Sequence, residues 1–449
     1  MEKEITIIGA GLVGSLLSIY LSKRGYKVSI YERRADMRKE KLTAGRSINL
    51  ALSDRGIKAL EEVGIMEEIR QIAIPMHGRY IHNADGKITY QPYGKQGQFI
   101  NSVSRAELNI KLMDLAEQHG VEILFQQKCM DIDWNKNEIT FENTQSSQLA
   151  AHSSQLIFGA DGAYSTARLQ QQLQHDRFQY EQHYIDFGYK ELTIPPGKGG
   201  EFKIEKNALH IWPRGNYMLI ALPNNDGSFT CTLFFPFEGE PSFASLDSKE
   251  KLRSFFEKTF ADAVPLMPTL EDDFFNNPTS SLITVKCFPW IREDKFALIG
   301  DAAHAIVPFF GQGMNCGFED CLVLNSLIDK HNNDWHAILQ EYQYLRKPDS
   351  DAISEMALNN FIEMRDKVAD PRFLLQKKIE AKLYEKYPDK WIPTYSQVTF
   401  SPHIRYSDAY SNSMRQEVIM QQIMAIRGIE EKWQSKEIED LILQKMERR

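Results

Sequence analysis

The first 32 residues constrain this chain more than any other stretch. Residues 4–8 (EITII) read as a buried strand, Gly9, Gly11 and Gly14 follow at GxGxxG spacing, and an apolar helical run goes from Leu12 to Leu21. Residues 27–32 (KVSIYE) read as a second strand that ends on Glu32, 18 residues after the last glycine. Each piece has a physical task. Gly9 permits a tight turn, Gly11 lets the backbone approach a pyrophosphate, and Gly14 lets helix and strand pack closely. The helix start offers unpaired N–H groups and partial positive charge to phosphates. Glu32 is placed to accept from ribose hydroxyls and to disfavour a 2′-phosphate. A glycine-rich helix start without a ligand would leave the terminal acid unexplained, so the unit reads as a dinucleotide site. It does not by itself separate NAD from FAD. Residues 5–22 carry no charge, and their length alone would suit a membrane span. The glycines and the acidic MEKE start, unlike the basic start of a signal peptide, favour the strand–turn–helix reading.

Two later segments carry related signals. Residues 156–162 (LIFGADG) read as a strand running into a turn at Asp161 and Gly162, with a helix starting in AYSTARL. Residues 296–301 (FALIGD) read as a strand ending on Asp301, followed by AAHAIVPFFGQGMNCGFEDC and a helix from about Met314 to Leu327. Asp301 at a strand end suits the ribityl hydroxyls of a flavin. The loop from Gly311 through Gly313 and Met314 to Asn315 exposes backbone N–H groups at a helix start, which suits the electron-rich pyrimidine edge of that ring and stabilises negative charge on it.

Composition removes other classes. Hydrophobic residues make up 42% and charged residues 25%, ordinary for a packed protein. A net charge of −8 without a basic run argues against nucleic acid as a partner. Five cysteines with no CxxC suggest neither a disulfide framework nor a metal site. A reducing, cytoplasmic setting is the simplest expectation.

Taken together, the motifs at Gly9–Gly14, Asp161–Gly162 and Gly300–Asp301 resemble the group A flavin-dependent aromatic hydroxylases, the family of p-hydroxybenzoate hydroxylase. Seven further blocks narrow the resemblance: RSINLALSDRG, GRYIHNADGKITYQPYG, INSVSRAELN, HIWPRGNYMLIALPNNDGSFTCTLFFP, PFFGQGMNCGFED, NNFIEMRDKV and IPTYSQVTFSPHIRYSDA. They are similar to the branch of that family that acts on L-kynurenine in tryptophan degradation. The resemblance implies an FAD held by all three motifs, NADPH as a co-substrate that reaches the flavin without its own Rossmann domain, and O2. It implies hydroxylation to 3-hydroxy-L-kynurenine through a C4a-hydroperoxyflavin. Two rival readings are a related aromatic hydroxylase with another substrate and a non-catalytic flavin-binding protein.

The resemblance also implies a site. Arg79 matches the arginine that binds the substrate carboxylate, and a planar guanidinium suits that task; read alone, it would be a surface charge. Tyr93, Asn360 and Tyr395 match polar residues that complete this clamp, Glu363 lies one turn from Asn360, and Phe309 and Phe310 are expected to wall a dry pocket more than Phe234, Phe235 or Phe237. Arg105 is expected at FAD, with phosphate pairing its natural role. Val13, Arg33, Arg46, Ala51 and Met130 are weaker expectations near the cofactor. No residue is assigned as acid or base, since the flavin carries the chemistry; His304 reads as structural.

The expected class is α/β: a Rossmann-like FAD-binding domain (1–180 with 286–340), an inserted β-sheet substrate domain (181–285, with 76–95 contributing, and a hairpin turn at Asn225–Gly227) and a C-terminal helical region (341–449) in which only the segment around 391–400 looks strand-like. Related eukaryotic chains end in a membrane anchor. Here the charged KWQSKEIEDLILQKMERR predicts no spanning segment, and its Ile438, Leu441 and Ile442 stripe reads as a helix face. A homodimer is compatible with this picture.

Overall fold

The computed structural model describes residues 4–39, 48–95, 97–366 and 370–447. The glycine turn joins Glu4–Ile8 to the Leu12–Lys23 helix, and the helix returns the chain to Lys27–Glu32 beside the first strand. These strands pair in parallel, with Ile8 opposite Tyr31 on one side and Gly159 on the other. The sheet has six strands, ordered 291–292, 296–298, 156–159, 4–8, 27–32 and 122–125. Strands 156–159 and 296–298, which lead into the second and third motifs, thus lie side by side next to the first. All three motifs therefore leave the C-terminal ends of three parallel strands of one sheet, where ligands of such folds bind.

A second sheet of seven strands is ordered 279–288, 179–194, 229–236, 217–223, 208–214, 78–82 and 88–92. Side chains alternate across it. Trp212, Leu219, Ala221, Cys231, Leu233 and Phe235 face a core made with the Lys249–Thr259 and Leu270–Asn276 helices. The opposite face presents Arg79, Ile81, Leu209, Ile211, Met218, Ile220 and Phe234 to a cleft. The strand Gly78–His82 pairs in parallel with Ala208–Arg214, so the chain before residue 96 supplies one border of this sheet. Asn224–Ser228 forms the turn expected between Tyr217–Pro223 and Phe229–Pro236.

The C-terminal part is helical. The segment around 391–400, expected to be strand-like, is instead the Thr394–Thr399 helix, entered through Pro393. Pro393 presets its own φ and ends the preceding chain, and Gln397 N–H donates to its carbonyl. The Ile438 and Ile442 side chains are buried with Trp391, Ile419 and Ile423, so the stripe of the last helix packs inward. No helix among the described residues is long and apolar enough to cross a membrane.

Candidate active site

One cleft of about 1980 Å³ runs from the glycine turn, past the Gly311–Met314 loop, to the face of the seven-stranded sheet. Its nucleotide end is built by close backbone packing. A Cβ added to Gly14 would stand 2.1 Å from the Gly9 carbonyl oxygen, and one on Gly9 would stand 2.7 Å from that of Ala160. The first motif therefore seats directly on the second. Val13 fills the space beside Gly300 and Gly317, which brings in the third. Buried Arg168 links the last two, donating to the carbonyls of Ala163 and Ala302.

Gly11, Val13, Arg33, Ala51, Arg105, Asp161, Asp301, Gly311, Gly313 and Met314 all line the cleft. Gly9, Gly14, Glu32, Asn315 and Met130 do not. Glu32 spans the turn, accepting from the N–H groups of Ala10 at 3.0 Å and Arg34 at 2.9 Å. Asn315 is fully buried and works as a brace. Its amide donates to Ala51 and Gly311 carbonyls, and its oxygen accepts from Ser53 N–H. Met130 is 38% exposed on the Gln127–Asp133 strand. Arg46 falls outside the described residues. Asp161 caps its own helix, accepting from Thr166 N–H at 2.7 Å and Ala167 N–H at 3.1 Å; burial pushes its carboxyl up against those bonds.

Gly311 adopts φ +66, the left-handed conformation that favours glycine, and ends the short Pro308–Phe310 turn. That reversal aims the N-terminus of the 18-residue Gly313–Lys330 helix into the cleft. Unpaired N–H groups and the dipole there fit the electron-rich edge of a flavin, and Arg33 and Arg105 are cations at the nucleotide end. The donor set, the glycine turn and the backbone approach fit an FAD.

At the other end, the Arg79 guanidinium lies against two tyrosine rings, 4.8 Å from the centre of Tyr93 and 4.6 Å from that of Tyr395. Burial lowers its proton affinity, and the two tyrosines more than restore it. Arg79 Nε and Tyr93 Oη are buried without a hydrogen-bond partner among the described residues. The guanidinium between two tyrosine rings is thus a cation at this end of the cleft, of the planar kind that pairs with a carboxylate. Asn360 also lines the cleft and donates its amide to the Phe309 carbonyl at 2.7 Å; Glu363 is one turn further on. Phe310 stacks on Tyr395 at 5.7 Å, and Phe309 packs on Phe361 at 4.5 Å. Phe234, given less weight by sequence, joins them at 5.2 Å from Phe309, whereas Phe235 turns into the opposite core. Strand alternation in residues 208–236 was the available signal for Leu209, Ile211, Met218 and Ile220.

His304 has a partner that sequence did not reveal. Its Nε2 lies 2.6 Å from Asp320 Oδ2 in full burial, and Asp320 also accepts from Gly300 N–H and Arg346 Nε. Burial opposes charge on this imidazole, but the carboxylate beside it holds its pKa well above the ordinary value. The pair does not line the cleft, so it braces the third motif from behind.

Comparisons with known proteins agree with this geometry. A family model described as FAD binding domain matches residues 2–357. The kynurenine 3-monooxygenase of Christiangramia forsetii is 50% identical over 98% of both chains, and that of Dictyostelium discoideum is 48% identical over 89% of both. Among solved structures, a 2-methyl-3-hydroxypyridine-5-carboxylic acid oxygenase superposes with a TM-score of 0.66 at 20% identity, covering 82% of this chain and 94% of its own. A tetracycline destructase does so at 0.63 and 14%, covering 89% and 97%. These two share the fold. By the family model and by relatives about 50% identical over almost its whole length, the chain belongs to the kynurenine 3-monooxygenase family of FAD-dependent aromatic hydroxylases.

Proposed function

We propose that this cleft binds L-kynurenine with its carboxylate on Arg79 and its aromatic ring toward the Gly311–Met314 loop. The reaction is L-kynurenine + NADPH + H+ + O2 → 3-hydroxy-L-kynurenine + NADP+ + water. The observation that carries the reading is the Arg79 guanidinium held between the Tyr93 and Tyr395 rings in the same cleft as the proposed flavin-binding loop. FAD held at that loop would supply the redox chemistry that links NADPH and O2 to ring hydroxylation.

The chain's own residues bind and orient. Arg79 offers its fork to the carboxylate, and Tyr93 and Tyr395 fix the plane of that fork and place hydroxyls nearby. Asn360 holds the Phe309 carbonyl, and with it the wall of the pocket. Phe234, Phe309 and Phe310 exclude water from the ring. Gly11, Arg33, Arg105, Asp301 and the start of the Gly313–Lys330 helix are the proposed FAD contacts; Gly9, Gly14 and Asn315 shape the backbone that makes them. Residues 1–180 with 286–340 are the proposed FAD domain, 181–285 with 76–95 contributing the substrate domain, and 341–449 the helical region. Five buried free cysteines suit a reducing cytoplasm.

The test is NADPH oxidation by the FAD-loaded protein with and without L-kynurenine, with product identification. L-kynurenine is expected to accelerate oxidation and to leave as the 3-hydroxy product. Hydroxylation of an anthranilate-type compound but not of L-kynurenine would overturn the substrate, and failure to take up FAD would overturn the enzyme reading.

A further inference from the structure

We propose that Arg55 is a positioning residue for the carboxylate clamp, fixing Tyr395 through the backbone of the segment that carries it; this rests on the reading of Arg79, Tyr93 and Tyr395 as that clamp. Arg55 is the second residue of the Asp54–Glu62 helix, far in sequence from Tyr395, and only 1% exposed. Its Nε donates to the Val398 carbonyl at 2.7 Å, and its Nη2 donates to Gln397 at 3.3 Å and to Ile404. These acceptors belong to the end of the Thr394–Thr399 helix and the turn after it. The last carbonyls of a helix have no partner of their own. Here a single guanidinium takes two of them, two and three residues beyond Tyr395.

The same group is tied to the flavin side. Its Nη1 pairs with Glu319 at 2.7 Å on the Gly313–Lys330 helix, and Glu319 is held from its other oxygen by Arg346 at 2.7 Å. The flat face of Arg55 lies 4.0 Å from the ring centre of Tyr406, whose hydroxyl donates at 2.9 Å to Gln312 in the flavin-side loop. Arg55 therefore joins three bodies: the clamp helix, the helix aimed at the flavin and the loop between Gly311 and Gly313. A six-residue helix moves as one piece, so a shift at Gln397 and Val398 moves the Tyr395 ring against Arg79. Lysine cannot reproduce the contact, because its donors diverge from one point while those of arginine form a planar fork.

The experiment uses the FAD-loaded full chain, with Arg55→Lys and Arg55→Gln as independent variants. Binding of L-kynurenine and of its decarboxylated analogue kynuramine is read from the flavin absorbance change. We expect retained flavin, a Kd for L-kynurenine raised roughly tenfold or more, and a Kd for kynuramine within about twofold of wild type, since kynuramine has no group for the clamp. In a Tyr395→Ala background, which removes the ring that Arg55 positions, Arg55→Lys is expected to add less than about twofold, because both changes act on one contact. Equal weakening of both ligands, an unchanged Kd for L-kynurenine, full additivity with Tyr395→Ala, or loss of flavin from both variants would each overturn the role. Wild-type protein that binds L-kynurenine no better than kynuramine would overturn the clamp reading instead.

Discussion

Arg79 and Tyr93 make opposite demands on the free and the bound protein. Arg79 Nε and Tyr93 Oη are buried without a close hydrogen bond in the fold, which is unfavourable in the free protein. Tyr93→Phe deletes one such group while keeping the ring against which Arg79 lies. We expect the ligand-free protein to gain up to about 1 kcal/mol of stability, and KM for L-kynurenine to rise by roughly 2- to 10-fold, as suits a neutral hydrogen bond. Thermal melts and steady-state kinetics check the two signs; a loss of stability with unchanged KM would contradict the account. Arg79→Ala removes a charge-assisted contact and should raise KM by on the order of 100-fold or more with FAD still bound. Arg79 was legible only through its sequence neighbourhood. The ring contact with Tyr395 spans more than 300 positions, and no local pattern reports it.

The glycine turn separates two roles that look alike in sequence. Gly14 cannot accept a Cβ, which would sit 2.1 Å from the Gly9 carbonyl oxygen. Gly11 meets nothing within 4 Å and has φ −74, a conformation any residue adopts. Gly11→Ala is therefore expected to melt within about 2 °C of wild type without cofactor, yet to bind FAD at least roughly tenfold more weakly, because the added methyl faces the pyrophosphate. Gly14→Ala should fail at the fold itself. Melting with and without FAD distinguishes the cases, and equal behaviour would refute the division. At this scale the sequence was most readable where structure is local: strand, turn, helix and acid all lie within residues 4–32. It misled at residues 394–399. The β-branched and aromatic residues of TYSQVTF suggest a strand, but the segment coils behind Pro393 and two of its end carbonyls are taken by Arg55. That partner lies 343 positions upstream of Val398 and 342 upstream of Gln397. Val398 and Ser396 are buried by tertiary packing rather than by any periodic pattern of their own.

Over the whole molecule, two histidine sites set opposite limits on stability as pH changes. Behind the Arg79 strand, His82 Nε2 lies 3.0 Å from His210 Nδ1, with Asp262 at 2.6 Å on the far nitrogen of His82 and the Glu205 carbonyl at 2.8 Å from His210. Burial pushes His210 down to about 4, with His82 lowering it further, while the Glu205 carbonyl raises it. Burial also lowers His82, opposed by Asp262 and aided by Arg214. The His210 imidazole is thus neutral in the fold, with its Nε2–H donated to the Glu205 carbonyl. Below pH ~6.5 the unfolded chain takes up protons that the folded chain refuses, so stability falls as pH drops from ~6.5 toward ~4, by roughly 3 kcal/mol for His210 alone. His304 has the opposite sign. Its folded pKa is raised, so its contribution is complete below ~6.5 and is lost as pH rises through the folded value. The melting temperature should therefore pass through a maximum near neutrality. His210→Gln is expected to flatten the acid side and leave the alkaline side unchanged, and His304→Gln to do the reverse. Melts in matched buffers from pH 4.5 to 9 decide this, and a variant that lowers the whole curve without changing its shape would show that its histidine is neutral to folding at both ends.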